Sequence, residues 1–414
     1  MLKDVTVLDL TTSIAGPYAA MLLSDFGASV IKLERLTGDD VRFWGPPFLS
    51  GESLWFLSVN RNKRSVCLDY ASKPGRVVLE DLLDRVDVVI TNQLAEAQEK
   101  LGIDAETVRA GRPQLIHVSL TGFGLTGSKS SLPCYDLIAE GYSGVMDLTG
   151  PPDAEPQKIG TPAADLLAGS DATMAILAAL YRRCTSGLGC AIDVSLTESM
   201  IRFLTPRIVP FLSSGHLPRR SGGRDSVIAI YQTFDTADLP MTLALGNDAI
   251  WRRFWEVAER PDLAEGDGLS SNADRLARRA EIVARIQEIL ITRPRQDWLE
   301  RFEAARVPAG PIYSLDEMVA DDHFNERLLF FEIERDDQSI PQVALGIHVD
   351  GAASGYASAP PQLGEHTEEV LRDVLGYNQN QIEQLLAADI VRAPRREPAQ
   401  LITEEDYGIR HHSL

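Results

Sequence analysis

Residues 5–34 read VTVLDLTTSIAGPYAAMLLSDFGASVIKLE, and the fold turns on them. VTVLDL (5–10) and ASVIKLE (28–34) are short, β-branched, apolar runs bounded by turn residues, the pattern of buried strands. Between them GPYAAMLLSDFG reads as a helix, with Pro17 in the first turn and Gly27 as a C-terminal stop. Strand, helix, strand in about thirty residues is a β-α-β unit, which calls for a parallel pair and a crossover helix.

The unit recurs downstream. SVCLDY (65–70), DVVITN (87–92) and QLIHVSL (114–120) are strand-like, with helical patterns at 75–86 and 105–112 between them. Strands alternating with helices predict an α/β layer around a parallel sheet. After a long apolar helix that starts near Asp165 comes GLGCAIDVSLTESMIRFL, a strand leading into a helix. Residues 213–226, SSGHLPRRSGGRDS, are polar and glycine-rich and read as a connection. IYQTFDT and PMTLALG then predict a hairpin, and amphipathic helices follow at 249–260, 272–291 and 295–306. Beyond 325, FFEIER and QVALGIHVD are strand-like and HTEEVLRDVL and NQIEQLLAA helical; from 393 the chain is polar and reads as an extended arm or disordered end.

The 414 residues are 44% hydrophobic, enough for a sizeable core in two domains. A net charge of −20 works against nucleic acid and anionic lipid as partners. The four cysteines form no C-x-x-C pair, and no histidine cluster has metal spacing, so no metal site is expected. The N-terminal residues run directly into a strand pattern without a leader, and a cytoplasmic location with no membrane contact is the expectation.

GFGLTG (122–127) matches G-x-G-x-x-G after a strand, but SKSSLP follows instead of a helix, so no helix N-terminus faces a pyrophosphate. His117 lies mid-strand and reads as a core histidine; His366 opens a helix; Cys134 has no base within sequence reach. Asp165 stands in KIGTPAADLLAG (158–169), where Thr161 or Asp165 can cap a helix and Pro162 can occupy its first turn. By local sequence it is a helix-start residue. The same place can keep a carboxylate ionised through the macrodipole and free amides, and small neighbours such as Ala164, Ala168 and Gly169 leave room for an acyl group.

Taken together, VLDLTTSIAGPYAAMLLSDFGASVIKLER (7–35), NRNKRSVCLD (60–69), HVSLTGFGLTG (117–127), YDLIAEGYSGVMDLTG (135–150), IGTPAADLLAG (159–169), VPAGPIYSLDEM (307–318) and LGEHTEEVL (363–371) resemble the class III coenzyme A transferases. That group includes formyl-CoA and carnitine CoA-transferases and alpha-methylacyl-CoA racemase. The resemblance implies that CoA moves between an acyl-CoA donor and a small carboxylic acid, with Asp165 as nucleophile and with no resident cofactor. It places Ile14 and Ala15 along the pocket, Arg35 at the adenine and phosphate end, Leu68 and Asn92 on the nucleotide, Lys100 at a phosphate, and Tyr135 and Asp136 in the active site. TNQLAEA (91–97) stands where the family often has ENFRPG. The glycine-rich lid of formyl-CoA transferase has no clear counterpart, SGGRDS (221–226) being the nearest stretch, which argues against oxalate as the acid. The alternative is an acyl-CoA racemase or isomerase, but Cys134–Tyr135 replaces the histidine of that branch, which favours transfer. A third possibility is a CoA-binding scaffold without catalysis. The resemblance also implies a large Rossmann-like domain from residues 1–200 with 325–414, a small α+β domain at 225–320, linkers at 201–224 and 321–350, and an interlocked homodimer.

Overall fold

A computed structural model describes residues 1–264, 269–353 and 358–394. The expected tail therefore lies, from 395 on, outside the described residues. The chain divides into two compact units: residues 1–143, 160–206 and 326 onward form the large one, and residues 144–159 and 207–325 the small one. The stretches expected as linkers carry regular structure. Residues 201–224 hold the end of helix Leu196–Phe203 and helix Thr205–Ser214, and residues 321–350 hold helix Asp322–Glu326 and the antiparallel pair Phe330–Arg335 with Gln338–Val343.

The large unit is built on a seven-stranded sheet. Its strands are β1 (Thr6–Asp9), β2 (Ser29–Glu34), β3 (Lys63–Leu68), β4 (Val88–Thr91), β5 (Ile116–Thr121) and β6 (Ala191–Ser195), with Val391–Arg392 added at one edge. Across the sheet the order is Val391–Arg392, β3, β2, β1, β4, β5, β6. The first six are parallel to one another, and the last-made strand is antiparallel to β3. Helices cover both faces of such a sheet, so its strands are mainly apolar; Val7, Leu8, Ile31, Val66, Val89, Ile90 and Val118 are fully or almost fully buried. The order reverses between β1 and β4, which opens a crevice at their carboxyl ends.

Helix α1 (Ala15–Asp25) makes the first crossover, and Gly27, at φ 99°, turns the chain out of it. Helix α2 (Asp136–Ser143) follows β5, and helix α3 (Ala163–Ser186) precedes β6. α1 and α3 pack at close range through Gly169, where a Cβ would lie 2.6 Å from the Ala15 carbonyl oxygen. α3 is 24 residues long and holds an 18-residue window of mean hydropathy 1.4, long and apolar enough to cross a membrane by length and composition alone. Half of that window is buried inside the unit, and Met174, Leu177 and Tyr181 lie exposed.

The small unit has a three-stranded antiparallel sheet of β7 (Tyr231–Phe234), β8 (Met241–Ala244) and β9 (Ala309–Pro311), with β8 in the middle. Helices supply Trp251, Phe254, Trp255, Trp298 and Phe302 to its core. The hairpin expected from IYQTFDT and PMTLALG is there, and the pattern at 272–291 resolves into two helices, Asn272–Ala277 and Arg279–Leu290.

Candidate active site

Two cavities open along the carboxyl edge of the large sheet, both on the large unit. One, of about 540 Å³, is lined by residues that follow β1, β2 and β3, including Thr12, Arg35, Asp40, Leu68 and Tyr70. The other, of about 260 Å³, is lined by Thr12, Ala15, Trp44, Asn92, Cys134, Tyr135 and Asp165, among others. Thr12 and Asp40 belong to both linings, so the two spaces share a wall. This is the reversal point of the strand order, where open α/β sheets bind ligands.

The β1–α1 loop that forms the wall is held from beneath by charge. Lys32 donates from Nζ to Asp39 Oδ2 at 2.9 Å and to the Thr11 carbonyl at 3.0 Å. Asp39 Oδ1 in turn accepts from the amides of Ser13 and Val41, both at 3.1 Å. Ser13 sits at φ 69°, a left-handed conformation that a non-glycine residue keeps only when its surroundings fix it. A second buried pair links Lys63 of β3 to Asp9 of β1 at 3.0 Å. Burial works to raise the Asp9 carboxyl, but Lys63 and Lys32 outweigh it and hold it below the usual range. Asn92 locks the loop from the other side: its Oδ1 accepts from Thr12 N at 3.1 Å and its Nδ2 donates to Thr12 O at 2.8 Å.

Asp165 lies in the first turn of α3 and is 8% exposed. Neither Thr161 nor Asp165 caps this helix. Pro162 stands at the cap position without a side-chain bond, and the carboxylate of Asp136 takes the role from outside, its Oδ1 accepting from Ala164 N at 2.8 Å and Asp165 N at 3.4 Å. This reverses the electrostatics expected from the sequence. The helix amides serve Asp136, and burial first, then the Asp136 charge, push the Asp165 carboxyl up to about 7. Cys134 beside it is pushed up to about 11 by burial and by Asp165, so its thiol stays protonated and is no nucleophile at neutral pH.

GFGLTG serves the site as packing. A Cβ on Gly122 would lie 2.0 Å from the Cβ of Cys134, and the Gly122 carbonyl accepts from Thr197 N and from the hydroxyls of Ser195 and Thr197. The missing side chain thereby lets residues 133–135 sit against the end of β5. His117 is fully buried, with Nε2 2.7 Å from the Ile103 carbonyl, and His366 lies at a helix start, where its Nδ1 accepts from Ser65 N.

Of the residues singled out in the sequence, Ala15, Asn92, Tyr135 and Asp165 meet around one cavity, and Arg35 and Leu68 line the other. Asp136 acts through the α3 amides. Arg35 is half-exposed and pairs with Asp40 at 2.9 Å, while Asn92 spends its amide on Thr12. Ile14 packs into a core cluster with Val41, Phe56 and Leu57, so it backs the wall and does not line the pocket. Lys100 is exposed on helix Ala95–Leu101, and its neighbour Leu101 lines the larger cavity. Sequence reasoning missed Thr12, Asp40 and Trp44. Trp44 stacks at a tilt on Tyr135 with centroids 6.5 Å apart, and its only sequence signal was an aromatic within the irregular run TGDDVRFWGPP. Among the described residues no group of histidine, cysteine or carboxylate side chains could hold a metal ion.

Comparison with known proteins identifies the family. The family model for CoA-transferase family III matches residues 2–367. The chain is 36% identical over 381 residues to the succinate–glutarate CoA-transferase of Agrobacterium fabrum, covering 90% of this chain and 95% of that one. It is 34% identical over 313 residues to the acetyl-CoA:oxalate CoA-transferase of Acetobacter aceti, covering 75% of this chain and 80% of the other. Among solved structures, a CaiB/BaiF family protein from Brucella suis superposes with a TM-score of 0.79 at 36% identity, over 90% of this chain and 99% of that one. A switch-point crevice, a buried aspartate at its floor and near full-length similarity converge: the chain belongs to CoA-transferase family III and is a CoA-transferase.

Proposed function

We propose that the protein moves CoA between an acyl-CoA and a small carboxylic acid, of the kind named for its relatives, through covalent intermediates on Asp165. The observation that carries this reading is the Asp165 carboxylate, buried beside a cavity of about 260 Å³ and raised to about 7. The carboxylate attacks the thioester carbonyl, the C–S bond breaks, and a mixed anhydride and CoA thiolate result. The thiolate attacks the Asp165 carbonyl, which releases the donor acid and leaves an aspartyl-CoA thioester. The acceptor carboxylate repeats the first step on that thioester, and thiolate attack on its acyl carbon then yields the new acyl-CoA and frees Asp165. Each bond broken is replaced by one formed, so no ATP or redox group is required. The N-terminus of α1, where Ile14 offers no side-chain cap and Ala15 lines the cavity, is the source of amide donors for the developing oxyanion.

A raised pKa makes a carboxylate a better nucleophile once ionised, and half of it is protonated near neutrality. The rate of acyl-enzyme formation in stopped-flow should therefore rise with pH through about 7 and level off above. Asp136→Asn keeps an oxygen for the α3 amides and removes the neighbouring charge, so the rising limb should move to lower pH. A limb that stays in place would remove Asp136 from this role.

We further read the chain as a cytoplasmic homodimer, whose contact would cover the apolar Met174, Leu177 and Tyr181 exposed on α3. Sedimentation equilibrium should give twice the chain mass; the mass of one chain at micromolar concentration would overturn this.

A further inference from the structure

The run SGGRDS at 221–226 is not a free loop. It lies along the outer edge of β7: Asp225 N donates to Tyr231 O at 2.8 Å, and Thr233 N donates to Gly223 O at 3.1 Å. Gly223 permits this approach, since a Cβ there would lie 2.7 Å from Thr233 Oγ1. Arg224 and Gln232 form an antiparallel bridge. Residues directly opposite in such a pair project to the same face, with Cβ atoms about 5 Å apart. On that face Gln232 Oε1 accepts from Nη2 of Arg279 at 3.2 Å, and Nη1 of Arg279 donates to the Asp225 carbonyl at 2.6 Å. One guanidinium, that of Arg279, thus bonds the amide opposite Arg224, and the charge of Arg224 acts on it.

The carboxylate of Asp225, whose charge also acts on Arg279, is bonded elsewhere. Asp225 accepts from Arg207 at 2.7 Å and from the amides of Val227 and Ile228, which hold it at about 2 against the effect of burial. Arg224 is exposed, and the Nε of Arg279 is buried with no hydrogen-bond partner. Burial and the like charge of Arg224 hold Arg279 below its ordinary range. Like charges set opposite one another are unfavourable, and they stand here in a chain of net charge −20. The planar fork of a guanidinium matches carboxylate and phosphate oxygens in two-point geometry.

We propose that Arg224, Arg279 and Gln232 form a binding site on the small unit for a small oxyanion, a carboxylate or a phosphate. The site concerns binding alone and is independent of the chemistry assigned to Asp165. Isothermal titration of the full chain at constant ionic strength tests it, with succinate in one arm and inorganic phosphate in the other. At least one anion should bind saturably, and Arg224→Ala should weaken that binding about tenfold or more, the loss of a charge-assisted contact. The arm that weakens names the anion. Arg279→Lys keeps the charge but removes the fork and should weaken the same arm. Because Arg224→Ala removes a repulsion, its melting temperature without added anion should be no lower than that of the native chain. Binding of neither anion, or affinities for both unchanged in the two variants, would overturn the proposal.

Discussion

Asp165→Asn is expected to lower turnover by roughly four orders of magnitude or more, the scale on which an enzyme loses its covalent nucleophile. CoA affinity should change little, because the larger cavity is lined by residues after β1, β2 and β3 and not by Asp165. The same substitution should make the protein more stable in alkaline solution. The folded chain holds the Asp165 proton up to about pH 7, whereas the unfolded chain releases it near 3.8. A carboxylate raised in this way contributes stability that is complete below the unfolded value and is lost as pH rises through the folded one. At pH 8 the native chain therefore bears the cost of a buried, poorly solvated charge, on the order of 4 kcal/mol for a shift of this size. The neutral amide of Asp165→Asn avoids it. Thermal melts should show the variant above the native protein at pH 8 and the two converging near pH 4. Native protein incubated with an acyl-CoA and hydroxylamine should gain a modification at residue 165 by mass spectrometry. Retained turnover in the variant, or an adduct on a different residue, would exclude the nucleophile role; deuterium exchange at the acyl α-carbon with no adduct would favour racemisation.

Lys32→Met is the second large effect, and here the loss is of stability. Lys32 and Asp39 are both fully buried in their side chains, 2.9 Å apart. Burial works against the ammonium, but Asp39, Asp9 and Glu34 outweigh it and hold Lys32 above its ordinary range. Methionine fills much of the same volume, so packing is nearly kept while the Asp39 charge is left in the core without its cation. Removing one partner of a buried pair costs about 3–5 kcal/mol. Urea denaturation should show a loss of that size, and Asp39→Asn in the same chain should recover part of it. A loss below about 1 kcal/mol would mean that water reaches the pair, as it does at a surface bridge. CoA affinity should fall as well, since Asp39 fixes Ser13 and thereby the wall shared by the two cavities.

These two residues mark what the sequence displays and what it hides. The β-α-β pattern of 5–34 was legible because apolar runs of strand length and one helix with clear ends leave few alternatives, and β1, α1 and β2 lie within a residue or two of the expected spans. Asp165 was legible from local sequence only as the start of an apolar helix, and its place in the site came from the resemblance of the motifs taken together. Its electrostatics were not legible. They depend on Asp136, twenty-nine positions away in sequence, which reaches the α3 amides only after α2 and α3 have packed. Lys32 and Lys63 looked like ordinary strand charges, and lysine is so seldom buried that nothing in VIKLE or NRNKRS points inward. The units were harder to draw than the elements. Residues 144–159 belong with the small one, although the sequence around them reads as a continuation of the site region.

The last strand of the sheet, Val391–Arg392, has a consequence for synthesis. It seals the edge of β3, and Leu371, Ile382 and Val391 share one core cluster with Leu8, Ile31 and Val66. A ribosome that has made β1 through β6 has not yet made these groups. It first delivers residues 207–325, almost all of the small unit, whose other segment, 144–159, is already made. The small unit can thus mature on the nascent chain while the β3 edge stands open, and the crevice acquires its finished scaffold only when residues 371–392 arrive.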